Sequence, residues 1–299
     1  MRAGTAARKR LRAAAGGALA DLVLGEPARA HPVAAFGRLM VTAERFMHRD
    51  SRAAGVAYTA LGMGLGVAAG RLCPSATAVT YAATAGRRLR EAAGEVAAAL
   101  EAGDVAGARR LLPGLVGRDP TDLGPPEITR AVVESVAENT VDAVVGPLWW
   151  AAVLGGPGAA GYRAANTLDA MVGHRSPRYA RFGWAAARLD DGAGYLPARL
   201  TALLVAAARP RRAAHVWRAV RHDAPAHPSP NAGVAEAAFA AALGIRLGGT
   251  NVYGGRVETR PRLGQGRPPR TADIGAAARL SRDVTVALAT ILAVASLLL

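Results

Sequence analysis

Lysine and cysteine are nearly absent from this chain: Lys9 and Cys73 are the only ones among 299 residues. A single cysteine excludes an intrachain disulfide and any zinc site built from several cysteines. Lys9 lies in the N-terminal tail, so there is no Walker A phosphate loop, and neither H-E-x-x-H nor G-x-S-x-G occurs. The Asp-Gly-x-x-Ala-Arg signature of membrane CDP-alcohol phosphotransferases is missing as well. Asp191-Gly192 is followed by Ala193-Gly194, Arg199 lies too far on, and the later aspartates are absent. Aromatic residues are only 5% of a sequence that is 51% hydrophobic. Ala, Gly, Leu and Val supply the apolar character, which suits helices whose backbones approach closely.

The net charge is +15 and almost all of it is arginine, whose planar fork suits phosphates and carboxylates. High-GC coding bias is an equal account of that excess. A nucleic-acid partner is not expected, because the arginines lie between hydrophobic spans and not in a DNA-binding module. Met1 to Arg12 followed by Ala13–Gly25 resembles a signal peptide. Asp21 interrupts it and Gly25-Glu26-Pro27 reads as a turn, so the segment is expected to be retained.

Hydropathy predicts an all-α fold, a polytopic membrane helix bundle with about four or five transmembrane helices. Ala13–Gly25 is short for a span. Ala53–Gly70 has no charge, and Gly62, Gly66 and Gly70 repeat every fourth residue as a packing face. The nominal Gly64-x-Gly66-x-x-Ala69 dinucleotide fingerprint is rejected, because no strand precedes it. Pro74–Gly86 is a weaker span. Ala143–Ala160 carries Trp149 and Trp150 and is ended by Gly155-Gly156-Pro157-Gly158; Leu196–Ala208 begins near Pro197. Ala232–Leu247 holds Glu236 and reads as amphipathic or re-entrant. Val284–Leu299 reads as a C-terminal anchor of about 24 Å. The whole of 1–299 is expected to be one integral-membrane domain, with polar clusters at 134–199 and 227–255 and the anchor at 284–299. The arginine-rich stretches Arg87–Arg130, Arg209–Arg221 and Arg256–Arg282 should be cytoplasmic loops.

Four polar clusters could carry chemistry. Glu134, Glu138 and Asp142 are four apart and would form one helical stripe, opened by the Pro125-Pro126-Glu127 helix start. Such a stripe needs a cation to offset it. Asn166 and Asp169 are three apart, among Arg163, Arg175, Arg178 and Arg181, which offer anion-binding forks; capping plus a solvated basic loop is the plain alternative. Asp190 and Asp191 follow Arg188 and could bind magnesium together with substrate phosphates, or form surface salt bridges in a loop. His227-Pro228-Ser229-Pro230-Asn231 is a pinned loop in which Asn231 would cap the next helix. His31-Pro32-Val33 is an earlier counterpart, where a lone histidine is more often structural. Gly248 to Gly255 is a glycine-rich loop whose amides could cradle phosphate.

Taken in order, these residues resemble a known family. The matching segments are Asp21–Gly25 with His31-Pro32-Val33 and Gly37-Arg38; Glu134-Ser135 through Glu138-Asn139 and Asp142 to Pro147-Leu148; and Tyr162-Arg163 through Asn166-Thr167-Leu168-Asp169 to Gly173. They continue with Phe182-Gly183-Trp184 through Arg188-Leu189-Asp190-Asp191, Pro197-Ala198-Arg199-Leu200, His227 through Gly233, and Leu247-Gly248-Gly249 with Tyr253-Gly254-Gly255. The chain is similar to the cobalamin-biosynthesis membrane protein family, adenosylcobinamide-phosphate synthase. It departs from the pattern at Gly192, Gly194, Thr250 and Val252.

The resemblance implies an ATP-dependent carbon–nitrogen ligase in the cell membrane. It would join (R)-1-amino-2-propanol or its O-phosphate to the free propionate of adenosylcobyric acid. ATP and Mg²⁺ are implied as cofactors. The corrinoid, the aminopropanol, the lipid bilayer and other cobalamin-pathway enzymes are implied as partners. The residues then expected to be catalytic are Glu134, Glu138, Asp142, Asp190 and Asp191, with Glu138, Asp142, Asp190 and Asp191 as metal ligands. Asn139, Arg163, Asn166, Asp169, Arg188, Arg199, His227 and Asn231 would bind substrate. A corrinoid-binding scaffold without chemistry is the alternative; a cation transporter lined by Glu134, Glu138 and Asp142 is a weaker one.

Overall fold

A computed structural model describes residues 2–25, 31–117, 119–174, 176–253 and 256–299. Part of the turn expected at Gly25-Glu26-Pro27, as well as Arg175 and Gly254-Gly255, lies outside the described residues. In chain order the helices are α1 (Arg2–Leu24), α2 (Pro32–Met47), α3 (Arg52–Leu72), α4 (Ala76–Ala83), α5 (Gly86–Glu101), α6 (Val105–Leu111) and α7 (Pro125–Thr140). They continue with α8 (Gly146–Leu154), α9 (Gly156–Leu168), α10 (Trp184–Ala208), α11 (Ala213–His222) and α12 (Ala232–Leu243). An antiparallel pair, β1 (Leu247–Tyr253) and β2 (Arg256–Leu263), precedes α13 (Thr271–Leu298). The all-α expectation holds apart from this hairpin. It replaces the glycine-rich loop, with a bulge between Leu247 and Gly249 where both glycines take positive φ.

The chain forms two compact units, each assembled from separated stretches. The first contains Met1–Ala85, Asp142–Pro197 and Leu288–Leu299; the second contains Gly86–Val141 and Ala198–Ala287.

In the first unit α3 packs along α9 through the glycine face that the sequence marks. A Cβ on Gly66 would sit 2.6 Å from the Ala164 Cβ, and one on Gly70 would sit 2.6 Å from the Gly156 carbonyl oxygen. Gly62 abuts Leu168 in the same way. Met40, Tyr58, Leu168, Val172, Phe182 and Ala186 form a fully buried cluster beside this seam. His31 caps α2, its Nδ1 accepting from the Val33 amide, so that histidine has the structural role expected of it.

The second unit is centred on α12, every residue of which from Ala232 to Ala242 is buried. Its apolar surface all round is that of a core helix. This corrects the re-entrant reading of Ala232–Leu247. All three arginine-rich stretches fall in this unit, where they form mostly helices and one strand, not loops.

Among the described residues two helices, α3 and α13, are long and apolar enough to cross a membrane. The other expected spans fail for separate reasons. Pro74–Gly86 yields only the eight-residue α4. Ala143–Ala160 breaks at Gly155, whose φ of 73° ends α8 and begins α9. Leu196–Ala208 is the second half of α10, whose first half carries Arg188, Asp190 and Asp191. The expected anchor starts earlier than Val284: α13 has 28 residues and is about 42 Å long.

Candidate functional site

The predicted site residues divide between the two units. In the second unit α7 starts as expected, with proline in its first turn and Glu127 near its positive end. It carries Glu134, Ser135, Glu138 and Asn139. The helical stripe does not continue evenly to Asp142. The chain leaves α geometry at Val141 for a π-turn, Val141–Val145, a form that recurs at functional sites.

Glu134 is buried and committed. Its Oε1 accepts from the Gly248 amide at 2.9 Å and lies 3.8 Å from Arg130 Nε, while Arg130 also donates to the Gly248 carbonyl. The Gly248 amide is therefore occupied by a carboxylate, which corrects the phosphate-cradle reading at that position. Asn139 turns back on its own helix, donating to the Ser135 carbonyl and hydroxyl. Around them lies a cavity of about 210 Å³ lined by Leu115, Val116, Gly117, Glu134, Ser135, Glu138, Glu236 and Arg260. His227 lies behind Glu236: Nε2 is 3.7 Å from Glu236 Oε1 and 3.5 Å from Arg260 Nη1, and both acid and imidazole side chains are only 2% exposed.

Asn231 occupies the N-cap position of α12 but makes no capping bond. Ser229 does that work instead, its hydroxyl accepting from the Asn231 and Ala232 amides. Freed from capping, Asn231 Oδ1 accepts from Arg199 Nη1 at 3.1 Å. His227, Asn231 and Arg199 thus belong with Glu134 and Glu138 in one unit.

The first unit holds Asp142, Arg163, Asn166, Asp169, Arg188, Asp190 and Asp191. Asn166 bridges two of them weakly, accepting from Arg163 Nη1 and donating to Asp190 Oδ1, both at 3.4 Å. Arg163 also reaches the Asp142 carbonyl at 3.4 Å. Tyr162 is buried under this group. Burial, and then the Asp142 and Asp190 carboxylates, hold its pKa well above the usual 10.0. Asp169 opens a second π-turn, Asp169–Gly173, and occupies the space that a side chain at Gly173 would need.

Arg188-Leu189-Asp190-Asp191-Gly192 lies inside α10, which removes the alternative of a salt-bridged loop. Successive helical residues point about 100° apart, so Asp190 and Asp191 do not share a face. Arg188 is exposed. Two of the supposed anion forks are engaged elsewhere: Arg178 pairs with Glu44 at 2.9 Å and Arg181 lies 3.9 Å from Asp50.

Among the described residues no three His, Cys, Asp or Glu side chains are grouped to hold a metal ion by themselves. Magnesium seldom asks for that. It keeps its waters and takes one or two carboxylates plus substrate phosphates, a donor set that Asp142 and Asp190 beside Arg163 can supply. Sequence reasoning did not nominate Glu236, Arg260, Arg130 or Tyr162. Glu236 left a readable signal, being the sole polar residue within Ala232–Leu243. Tyr162 opens the Tyr162-to-Gly173 segment of the family pattern, whereas Arg130 and Arg260 do not stand out among the many arginines.

A family profile described as CobD/Cbib protein matches residues 14–281. The chain belongs to the CobD/CbiB family. Among its CobD/CbiB relatives is the cobalamin biosynthesis protein CobD of Mycobacterium tuberculosis, 52% identical over 282 residues that cover 90% of each chain. Proteins of the same name from Chromobacterium violaceum and Geobacter metallireducens are 42% and 41% identical. They cover 88% and 85% of this chain, and 89% and 86% of their own lengths. No solved structure matches. The CobD/CbiB profile spans every residue nominated above for chemistry.

Proposed function

We propose that this CobD/CbiB protein is an ATP-dependent amide ligase of cobalamin biosynthesis, acting at the cell membrane as a multi-pass protein held by α3 and α13. It joins (R)-1-amino-2-propanol or its O-phosphate to the free propionate of adenosylcobyric acid. The observation that carries this reading is the similarity to CobD proteins over 90% of the chain.

The residues are suited to the chemistry. A carboxylate oxygen is a poor leaving group, so the propionate accepts the terminal phosphoryl of ATP, releasing ADP. The amine then forms the C–N bond as phosphate departs. Mg²⁺ would neutralise phosphate charge during the transfer. Asp142 and Asp190, both in the first unit, are its proposed ligands, and Glu138 is proposed to take the proton that the amine loses. Arg163 holds phosphate or propionate oxygens, and Asn166 orients Arg163 and Asp190. Arg199, oriented by Asn231, serves a carboxylate or amide of the corrin periphery.

The test is to incubate the purified full-length protein with ATP, adenosylcobyric acid and each amine, measuring ADP and the amide product by mass spectrometry. Amide formed in step with ADP is the expected result. Corrinoid bound without ADP or amide would replace the ligase by a scaffold. For the site, Glu138→Gln and Asp190→Asn should each fail to restore corrinoid amidation in a complementation assay; full activity in both would remove these residues from the reaction.

A further inference from the structure

We propose that a groove in the first unit binds one hydrocarbon chain of a bilayer phospholipid, with the lipid phosphate at the C-terminal end of α3. The inference rests on the membrane reading of α3 and adds to it a defined lipid site.

The lining gives the ligand class. The groove holds about 420 Å³ between α2, α3, α4 and α9, with Phe36, Leu65, Ala69, Ala78, Val79 and Ala160 among its walls. Of the described lining side chains only Cys73, Thr167 and Arg163 carry a polar atom. Each of them is turned to the protein itself. The Cys73 thiol donates to the Ser75 carbonyl at 3.7 Å, and the Thr167 hydroxyl to the Arg163 carbonyl at 2.7 Å. Arg163 Nη1 reaches Asn166 Oδ1 and the Asp142 carbonyl, both at 3.4 Å. An arginine stem can lie along hydrocarbon while its head is held elsewhere. A nucleoside or a corrin amide placed here would bury polar atoms without partners, which is costly. An alkyl chain asks for none.

The course of the groove gives the orientation. Cys73 caps the C-terminus of α3, and Leu65 lies about 12 Å before it along the helix axis. The groove therefore starts at the end of the apolar helix and runs inward beside it. A phospholipid next to a spanning helix has this layout, its head at the end of the span and its chain pointing to the middle. Arg71, exposed in the last turn of α3, stands at the level of the head, where a guanidinium complements phosphate.

The surroundings give the source. Leu65 both lines the groove and is exposed, and Val56, Leu61 and Leu72 on the same helix are exposed as well. Only 33% of the most apolar stretch of α3 is buried within the protein. The bilayer that covers the rest of α3 thus reaches the mouth of the groove.

The experiment uses the full-length protein in detergent and a phosphatidylglycerol carrying a diazirine midway along one chain. Photolysis and peptide mass spectrometry should place the crosslinks on 65–73 and 78–83, saturating at one lipid per protein. Cys73, the sole cysteine, reports directly: its alkylation by a maleimide should slow at least fivefold when unlabelled lipid is added. Ala69→Phe and Ala78→Phe, both at exposed lining positions, should each cut the groove crosslinks at least tenfold. If neither variant melts cooperatively, the wild-type crosslink map and the protection of Cys73 decide. Crosslinks spread evenly over the exposed residues of α3, and unchanged in the variants, would overturn the groove site and leave α3 in the membrane. Protection of Cys73 by ATP or adenosylcobyric acid, and not by phospholipid, would overturn it in favour of a substrate. If protein reconstituted in vesicles of the same lipid takes no crosslink anywhere on α3, the membrane reading falls with it.

Discussion

Arg199 Nη1 donates to Asn231 Oδ1 across 3.1 Å. The asparagine stands where a cap would stand, yet its side chain serves an arginine from α10, and Ser229 caps α12. Asn231→Ala should therefore leave α12 capped and lower stability by only about 1 kcal/mol. Activity should fall at least tenfold as Arg199 loses its orientation, and Asn231→Asp should recover part of it. Ser229→Ala should do the reverse, costing about 1 kcal/mol of stability through the lost cap with a smaller effect on rate. Thermal melts in detergent, run beside product assays, separate the two. A rate loss confined to Ser229→Ala would contradict the assignment.

The glycines of α3 differ in what surrounds them. Nothing lies within 4 Å of a Cβ built on Gly64, whereas Gly66 and Gly70 face α9 at 2.6 Å. Gly64→Ala should be neutral or stabilising by up to about 1 kcal/mol, the helix-propensity gain. Gly66→Ala and Gly70→Ala should each destabilise by about 1–3 kcal/mol through overpacking. Equal melting temperatures for all three variants would show that the seam is not close-packed.

Tyr162 gives a pH dependence with a definite sign. Burial first, then Asp142 and Asp190, raises its pKa above 10.0 in the folded state, so the folded protein keeps the phenol proton after the unfolded chain has lost it. Stability from this group is intact below pH 10 and lost as pH rises from there through the folded pKa. The wild type should thus lose stability above about pH 10 by up to about 1.4 kcal/mol per pH unit more than Tyr162→Phe. Parallel slopes between about pH 9 and 11 would mean that the hydroxyl is not held as described.

Glu134 ties the bulge of β1 to α7 through the Gly248 amide. Glu134→Ala leaves that buried amide without this acceptor and removes a carboxylate from beside Arg130, at a cost of about 1–3 kcal/mol. Amide hydrogen exchange should rise at Gly248 and along β1 before it rises in α12. Unchanged protection of the hairpin would show that the carboxylate is not its anchor.

Much of this was legible in the sequence, for identifiable reasons. The Gly62-Gly66-Gly70 repeat is a local pattern with one physical use, and it marks the α3 face against α9. Pro125-Pro126-Glu127 likewise marks the start of α7, because proline and acid both suit a first turn. Family membership was readable because many weak motifs fell in one order. Hydropathy was a poorer guide to spans. It scores a helix buried in protein like one in lipid, so α12 reads as amphipathic or re-entrant, and the break at Gly155 is legible from the Gly155-Gly156-Pro157-Gly158 run and not from hydropathy. The loop that is the alternative for Asp190-Asp191-Gly192 follows from Asp and Gly being poor helix formers, a preference that α10 overrides. Arg260 and Tyr162 gained their positions only from tertiary packing, which no local spacing encodes.

The two π-turns, Val141–Val145 and Asp169–Gly173, place a rule on how this chain can vary. Each is a helix with one residue too many, and removing any single residue inside it would let the hydrogen-bond ladder snap back to the ordinary pitch. The helix on either side would keep its direction, whereas the same deletion from an ordinary helix would turn everything downstream by about 100°. A chain one residue shorter at either place is therefore expected to keep its helices and to lose the local turn that sets Asp142 or Asp169 apart.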